Sequence, residues 1–214
     1  MMWWQRCCCC CGGCGWTEPW TSNAEAFAHW VTDNPERWVV GAGLVTSNDE
    51  LSSAFGTRLF VDDVHRIQTT LDHSSNEPPD LTVSVVVRDT DPAGRSLAAG
   101  CTWGLLGGFR WFVRFDGVTT VVTPTNPLDP QVVSIWWDDA GNAQIDVGDT
   151  TTIDTVGVGA MGEVFITTTS NGSIGVMEAT CDPYVPAAPE AILTETPGAG
   201  IDILTESGDP LLVE

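Results

Sequence analysis

The sequence predicts an all-β fold, an antiparallel sandwich or barrel with one short helix near its start and extended tails. Three observations carry that reading. Apolar and polar residues alternate with period two through much of residues 16–185, the pattern of strands with one buried face. Turn-forming residues interrupt the alternation about every 8–12 residues, the spacing of sandwich and barrel strands. Asn171-Gly172 lies between two extended runs, and Asn-Gly is the strongest short hairpin signal because a type I′ turn needs positive φ at both central residues.

Taken in order, Ser22-Asn23-Ala24-Glu25 fits a capping box, and Phe27, Trp30 and Val31 share a helical face before Asn34-Pro35 stops it. "ERWVVGAGLV", "SSAFGTRLFV" and "VHRIQTTLD" read as the next strands. "LTVSVVVRD" places Leu81, Val83, Val85 and Val87 on one face. "FRWFVRFDG" places Phe109, Trp111, Val113 and Phe115 on one face and Arg110, Phe112 and Arg114 on the other. "QVVSIWWDD" runs into the turn at Asp139-Ala140-Gly141-Asn142, and "AQIDVG" returns from it. Short strands with polar turns favour two packed sheets or a closed barrel.

Composition separates a low-complexity Cys/Gly/Trp tail (1–15), the periodic domain (16–185) and an acidic arm (186–214), in which "AILTE", "DILTE" and "PLLVE" are punctuated by prolines and glycines. The arm is expected to be extended and to pair with a sheet edge. With 43% apolar residues a substantial core is available, and global disorder is excluded. All eight basic residues are arginine, and 29 acids bring the formal net charge to −21. That field repels phosphate backbones and anionic membrane surfaces, so no nucleic-acid partner is expected. Neutral glycans, cations and other protein subunits, including further copies of this chain, remain as partners. No run approaches the ~20 apolar residues of a membrane span, and no signal peptide is recognisable, which points to a reducing compartment.

The order of several motifs resembles the concanavalin A-like, laminin-G-like jelly-roll domains of bacterial and phage surface proteins. "RWVVGAGLV" is similar to that group's "W-x-V-x-x-G-x-L" strand pair. "VSVVVRDTDPAG" is followed by the aromatic strand and turn "WFVRFDG", and Asp154, Val156, Gly157, Val158 and Gly159 match a late "D-x-V-G-V-G". The resemblance implies a jelly roll and a place in a virion or bacterial surface assembly.

Glycoside hydrolases on this fold resemble one another in a Glu-x-Asp-x-x-Glu strand, and no glutamate here is followed two residues later by aspartate. His29, His65 and His73 lack a serine elbow or ligand spacing. No catalytic residue is therefore assigned, and a non-enzymatic glycan-binding or structural adhesion module is expected. The alternatives are a glycoside hydrolase or lyase on the same fold and an assembly protein pairing through C-terminal strands. Candidate ligand contacts are Trp103, Trp136, Trp137 and Asn142, with one of the two adjacent tryptophans necessarily facing outward. Asp89 and Asp91, with Gly94, form a fragment of a calcium loop. Cys7, Cys10, Cys11 and Cys14 have C-x-x-C spacing suited to zinc, while cross-linking, lipidation or a reactive tail remain open for "CCCCCGGC".

Overall fold

The computed structural model describes residues 15–49, 53–60, 63–73, 82–91, 94–104, 108–181, 193–194 and 202–203. Contacts divide the chain into two units, Met1–Tyr184 and Val185–Glu214. In the first unit the strands are β1 Gly15–Glu18, β2 Trp38–Gly41, β3 Leu44–Ser47, β4 Ala54–Leu59, β5 Arg66–His73, β6 Thr82–Arg88, β7 Ser96–Gly104 and β8 Gly108–Phe115. They continue with β9 Val118–Val122, β10 Gln131–Trp137, β11 Asn142–Val147, β12 Thr150–Thr155, β13 Glu163–Thr168, β14 Gly172–Ile174 and β15 Met177–Thr180. One sheet has the order β12-β11-β10-β5-β14-β3-β2, with β15 joining β5 to β1. The other has the order β4-β13-β6-β7-β8-β9. Every pairing is antiparallel, and the predicted all-β sandwich of jelly-roll type is the observed one.

The alternation noted in the sequence is what builds the core. Val83, Val85, Val87, Leu97, Trp111, Val113 and Ile166 from the smaller sheet are buried with Ile67, Leu71, Ile135, Trp137 and Ile145 from the larger. Each such side chain removed from water contributes roughly 1.5–3 kcal/mol. The same core extends to a group of tryptophans beside the first strand. Trp20 lies 5.3 Å from Trp30 and 6.1 Å from Trp38, centroid to centroid. Here Glu18 is 1% exposed. Its Oε2 accepts from Arg58 Nη1 at 2.9 Å and from Trp30 Nε1 at 3.1 Å.

The helix is shorter than predicted. α1 spans Asn23–Ala26, with the Ser22 side chain accepting from the Glu25 amide as the capping box requires. It ends early because Val31 exchanges both backbone hydrogen bonds with Thr57 of β4, at 2.8 Å each. That bridge draws the chain into extended geometry and leaves the Val31 side chain outside.

Asn171-Gly172 does not form the predicted hairpin. β13 and β14 belong to different sheets, and neither residue has positive φ. The glycine answers a packing demand instead, since a Cβ there would meet Val83 Cγ2 at 2.2 Å. The two-residue turns with positive φ at both positions are Ala42-Gly43 (54° and 82°), joining β2 to β3, and Asp116-Gly117 (43° and 85°), joining β8 to β9. In the second unit, β16 Leu193–Thr194 and β17 Asp202–Ile203 pair antiparallel with each other.

Candidate functional site

The outward face of the smaller sheet carries a groove of about 500 Å³. Strand register sets its lining in cross-strand rungs. Thr167, Ser84, Gly100, Phe112 and Val121 stand in one rung across β13, β6, β7, β8 and β9. Phe165, Val86, Ala98, Arg114 and Thr119 form the next, and Thr82, Thr102 and Arg110 a third.

Small residues on β7 make the floor. A Cβ on Gly100 would approach Val83 O at 2.5 Å and Phe112 Cζ at 3.0 Å, so glycine lets the Phe112 ring lie across the strand. Hydroxyls from Ser84 and the threonines provide donors and acceptors, and Phe112 and Phe165 provide apolar ring surface. Arg114 Nε donates to Thr119 Oγ1 at 3.0 Å, and its guanidinium stands 5.6 Å from the Phe112 ring centre. Arg110 is exposed. At one end Glu163 and Arg88 form an ion pair.

The residues singled out in the sequence lie elsewhere. Trp103 is half-buried on the inner face and stacks near Phe109, 6.5 Å between centroids. Trp137 is 1% exposed and stacks on Phe60 at 6.0 Å. Its neighbour Trp136 faces outward on the larger sheet, where Arg66 lies 4.2 Å over its ring. Asn142 caps a turn: its backbone and side-chain nitrogens donate to Asp138 at 2.9 and 2.7 Å. Burial draws the Asp138 carboxyl upward, but these bonds and those of the turn amides outweigh it and hold the group below the usual aspartate range.

Asp89 Oδ1 accepts from the Asp91 amide at 3.0 Å, an Asx-type turn at the start of the predicted calcium loop. Among the described residues no three His, Cys, Asp or Glu side chains are grouped to hold a metal ion. Cys7, Cys10, Cys11 and Cys14 lie outside the described residues. Cys181 is disulfide-bonded.

A structural hub missed in the sequence gathers the motif loops. Arg95, with a side chain 1% exposed, donates from Nη1 to the carbonyls of Asp138 at 2.9 Å and Gly157 at 3.0 Å. Asp116 accepts from the amides of Ser96 and Gly157, both at 2.8 Å. The Arg-Asp strand end, the Phe-Asp-Gly turn and the Val-Gly-Val-Gly segment are thus one fastening at the edge of the sandwich. Burial lowers the Arg95 guanidinium below its ordinary value, opposed by Asp139, Asp138, Asp116 and Asp89 in that order.

No protein-family profile matches the sequence, and no curated protein does. Solved structures do share the architecture. Crh5 transglycosylase superposes with a TM-score of 0.57 at 12% identity, covering 79% of this chain and 85% of that one. The GlcNAcα1-4Gal-releasing endo-β-galactosidase from Clostridium perfringens reaches 0.58 at 8% identity, over 93% of this chain and 73% of that one. The shared fold is an antiparallel β-sandwich of jelly-roll type. Bacillus licheniformis β-glucanase shares it at 0.51 and 10% identity, over 78% and 98% of the two chains. The expectation of a non-enzyme is overturned by these likenesses, because the three structures named here, each above a TM-score of 0.5, are glycosidases and a transglycosylase.

Proposed function

We propose that the protein acts on glycans and that a saccharide chain lies in the groove on β13, β6, β7, β8 and β9. The groove itself carries this reading: a depression of about 500 Å³ whose hydroxyls and guanidinium groups alternate with phenylalanine rings on a rigid sheet. Sugars present hydroxyl edges and apolar C–H faces, and a site for them needs a few fixed polar groups among apolar ones. The likeness to glycan-cleaving and glycan-transferring enzymes supports catalysis, of the hydrolase or lyase kind, ahead of simple adhesion. The resemblance of the ordered motifs supports a place in a virion or bacterial surface assembly.

Residue chemistry bears on the kind of cleavage. Retaining hydrolysis uses two carboxyls roughly 5–5.5 Å apart, and inverting hydrolysis uses a wider pair. Among the described residues the groove lining holds no carboxylate, and Glu163, held by Arg88, stands on the next outward rung beyond Phe165 and Val86. Elimination from an acidic sugar needs a cation at the substrate carboxylate, a part Arg110 and Arg114 are placed to play, together with a base for the adjacent carbon-bound proton and an acid for the departing oxygen, which the described lining does not supply. The test is incubation of the full chain with a panel of polysaccharides, following reducing ends and the ultraviolet absorbance of unsaturated products together. Product release from one member, impaired by Arg114→Gln, is the expected result. A panel that is neither bound nor cleaved refutes the proposal.

A further inference from the structure

Electrostatics narrows the ligand. The chain has eight arginines against 29 acids, and three of the eight, Arg88, Arg110 and Arg114, project from the grooved face of one sheet. Of the other five, Arg6 lies outside the described residues and four are placed differently. Arg58 and Arg95 are committed to buried contacts, Arg37 pairs with Asp49, and Arg66 covers Trp136. On the grooved face Glu163 neutralises Arg88 alone. Arg110 and Arg114 keep their charge with no carboxylate partner among the described residues, in a protein that otherwise has acids to spare. Arg114 is moreover held in place, tethered through Nε to Thr119 while its terminal nitrogens remain available. The two arginines are four residues apart on β8, which sets their Cα atoms roughly 13 Å apart at a strand's rise, with the Phe112 ring between them.

We infer that this groove takes an anionic saccharide, one bearing carboxylate or sulfate groups, with Arg110 and Arg114 each facing one acidic substituent and Phe112 under the sugar between them. This deepens the proposed function and rests on it. The guanidinium fork matches the planar pair of carboxylate oxygens and the oxygens of a sulfate, and such charge-assisted bonds are the strong ones. The protein's net charge does not forbid the approach. At physiological ionic strength screening acts over about 8 Å, so the ligand responds to the local guanidinium groups more than to distant acids. The sequence alone pointed to neutral glycans because formal charge was summed over the whole chain, without regard to where the arginines project.

The test measures binding of the full chain to three oligosaccharides of equal length: an oligouronate, a sulfated oligosaccharide and a neutral β-glucan fragment. Each is titrated calorimetrically at low and at high salt, with Arg110→Gln, Arg114→Gln and the remote control Arg37→Gln. Arg110 and Arg114 are exposed, so folding is preserved in both variants. The expected result is tight binding of an anionic ligand, weakened by salt, weakened about 10- to 100-fold by either groove substitution and unchanged by Arg37→Gln. Binding of the oligouronate alone identifies carboxylate as the group recognised, and binding of the sulfated ligand alone identifies sulfate. Neutral ligand bound as tightly as the anionic ones, and unaffected by both groove substitutions, overturns the inference while leaving a glycan-binding protein. Failure of all three to bind overturns the proposed function itself.

Discussion

Replacing Glu18 by alanine should cost the fold about 3–5 kcal/mol, the range for removing one partner of a buried ion pair. The structure supports the upper half of that range. Glu18 is 1% exposed and the Arg58 side chain 12%. Glu18 Oε2 serves both the Arg58 guanidinium and the Trp30 indole, so alanine strands a buried cation and a buried N–H together. Arg58 also lies 3.7 Å over the Trp16 ring, which fixes it where water cannot readily follow. Burial lowers the Arg58 guanidinium below its usual value and Glu18 opposes the shift, yet arginine remains charged throughout the accessible pH range. At about 2–4 °C per kcal/mol for a domain of this size, the melting temperature should fall by roughly 6–20 °C. Glu18→Gln keeps an acceptor and should cost less, about 1.5–3 kcal/mol. Urea denaturation of Glu18→Ala, Arg58→Met and the double variant provides the assay, and the double variant should lose much less than the sum of the singles. Should Glu18→Ala remain within about 0.5 kcal/mol of the parent, the pair is solvated and the reasoning fails.

Other outcomes follow from the same contacts. Gly172→Ala should destabilise by about 1–3 kcal/mol through overpacking against Val83, whereas Gly117→Ala, with open space around its Cβ and φ of 85°, should cost about 1–2 kcal/mol from backbone strain alone; urea midpoints compare the two. Asp138 has its carboxyl held below the ordinary aspartate value. Its contribution is therefore present above about pH 4 and is lost as pH falls through its native pKa. The stability gap between the parent and Asp138→Asn, read by urea denaturation, should be full at pH 7 and shrink on acidification below that point. Cys181→Ser should lower the melting temperature measured without reductant, since losing a disulfide costs about 2–5 kcal/mol in a small domain and somewhat less in one with a core of this size.

Alternation made the sandwich legible before any coordinates. The assignment of Phe109, Trp111, Val113 and Phe115 to one face and Arg110, Phe112 and Arg114 to the other holds residue for residue, because a strand's period is fixed by its backbone. The same rule required one of Trp136 and Trp137 to face outward, and Trp136 does. What alternation does not encode is which strands become neighbours. Arg114, Ala98, Val86 and Phe165 form one rung only after β8, β7, β6 and β13 have paired, so the groove was invisible as a site. One signal was present: few arginines in the chain, and two of them on one outward face with a phenylalanine between. Asn171-Gly172 misled because its glycine relieves a contact with Val83, far away in sequence, and local turn chemistry cannot register that. Nothing local in the sequence marks Glu18 as buried, because the tryptophans around it come together only in the fold.

Nuclear magnetic resonance of the full chain during titration with an acidic oligosaccharide addresses the central claim most directly, because methyl and indole signals report where the ligand lies. Shifts concentrated at the methyls of Val86, Ala98 and Val121, with the Trp136 indole unmoved, are the predicted result. Shifts centred on Trp136 and the neighbouring face of the larger sheet, with those three methyls silent, would contradict it.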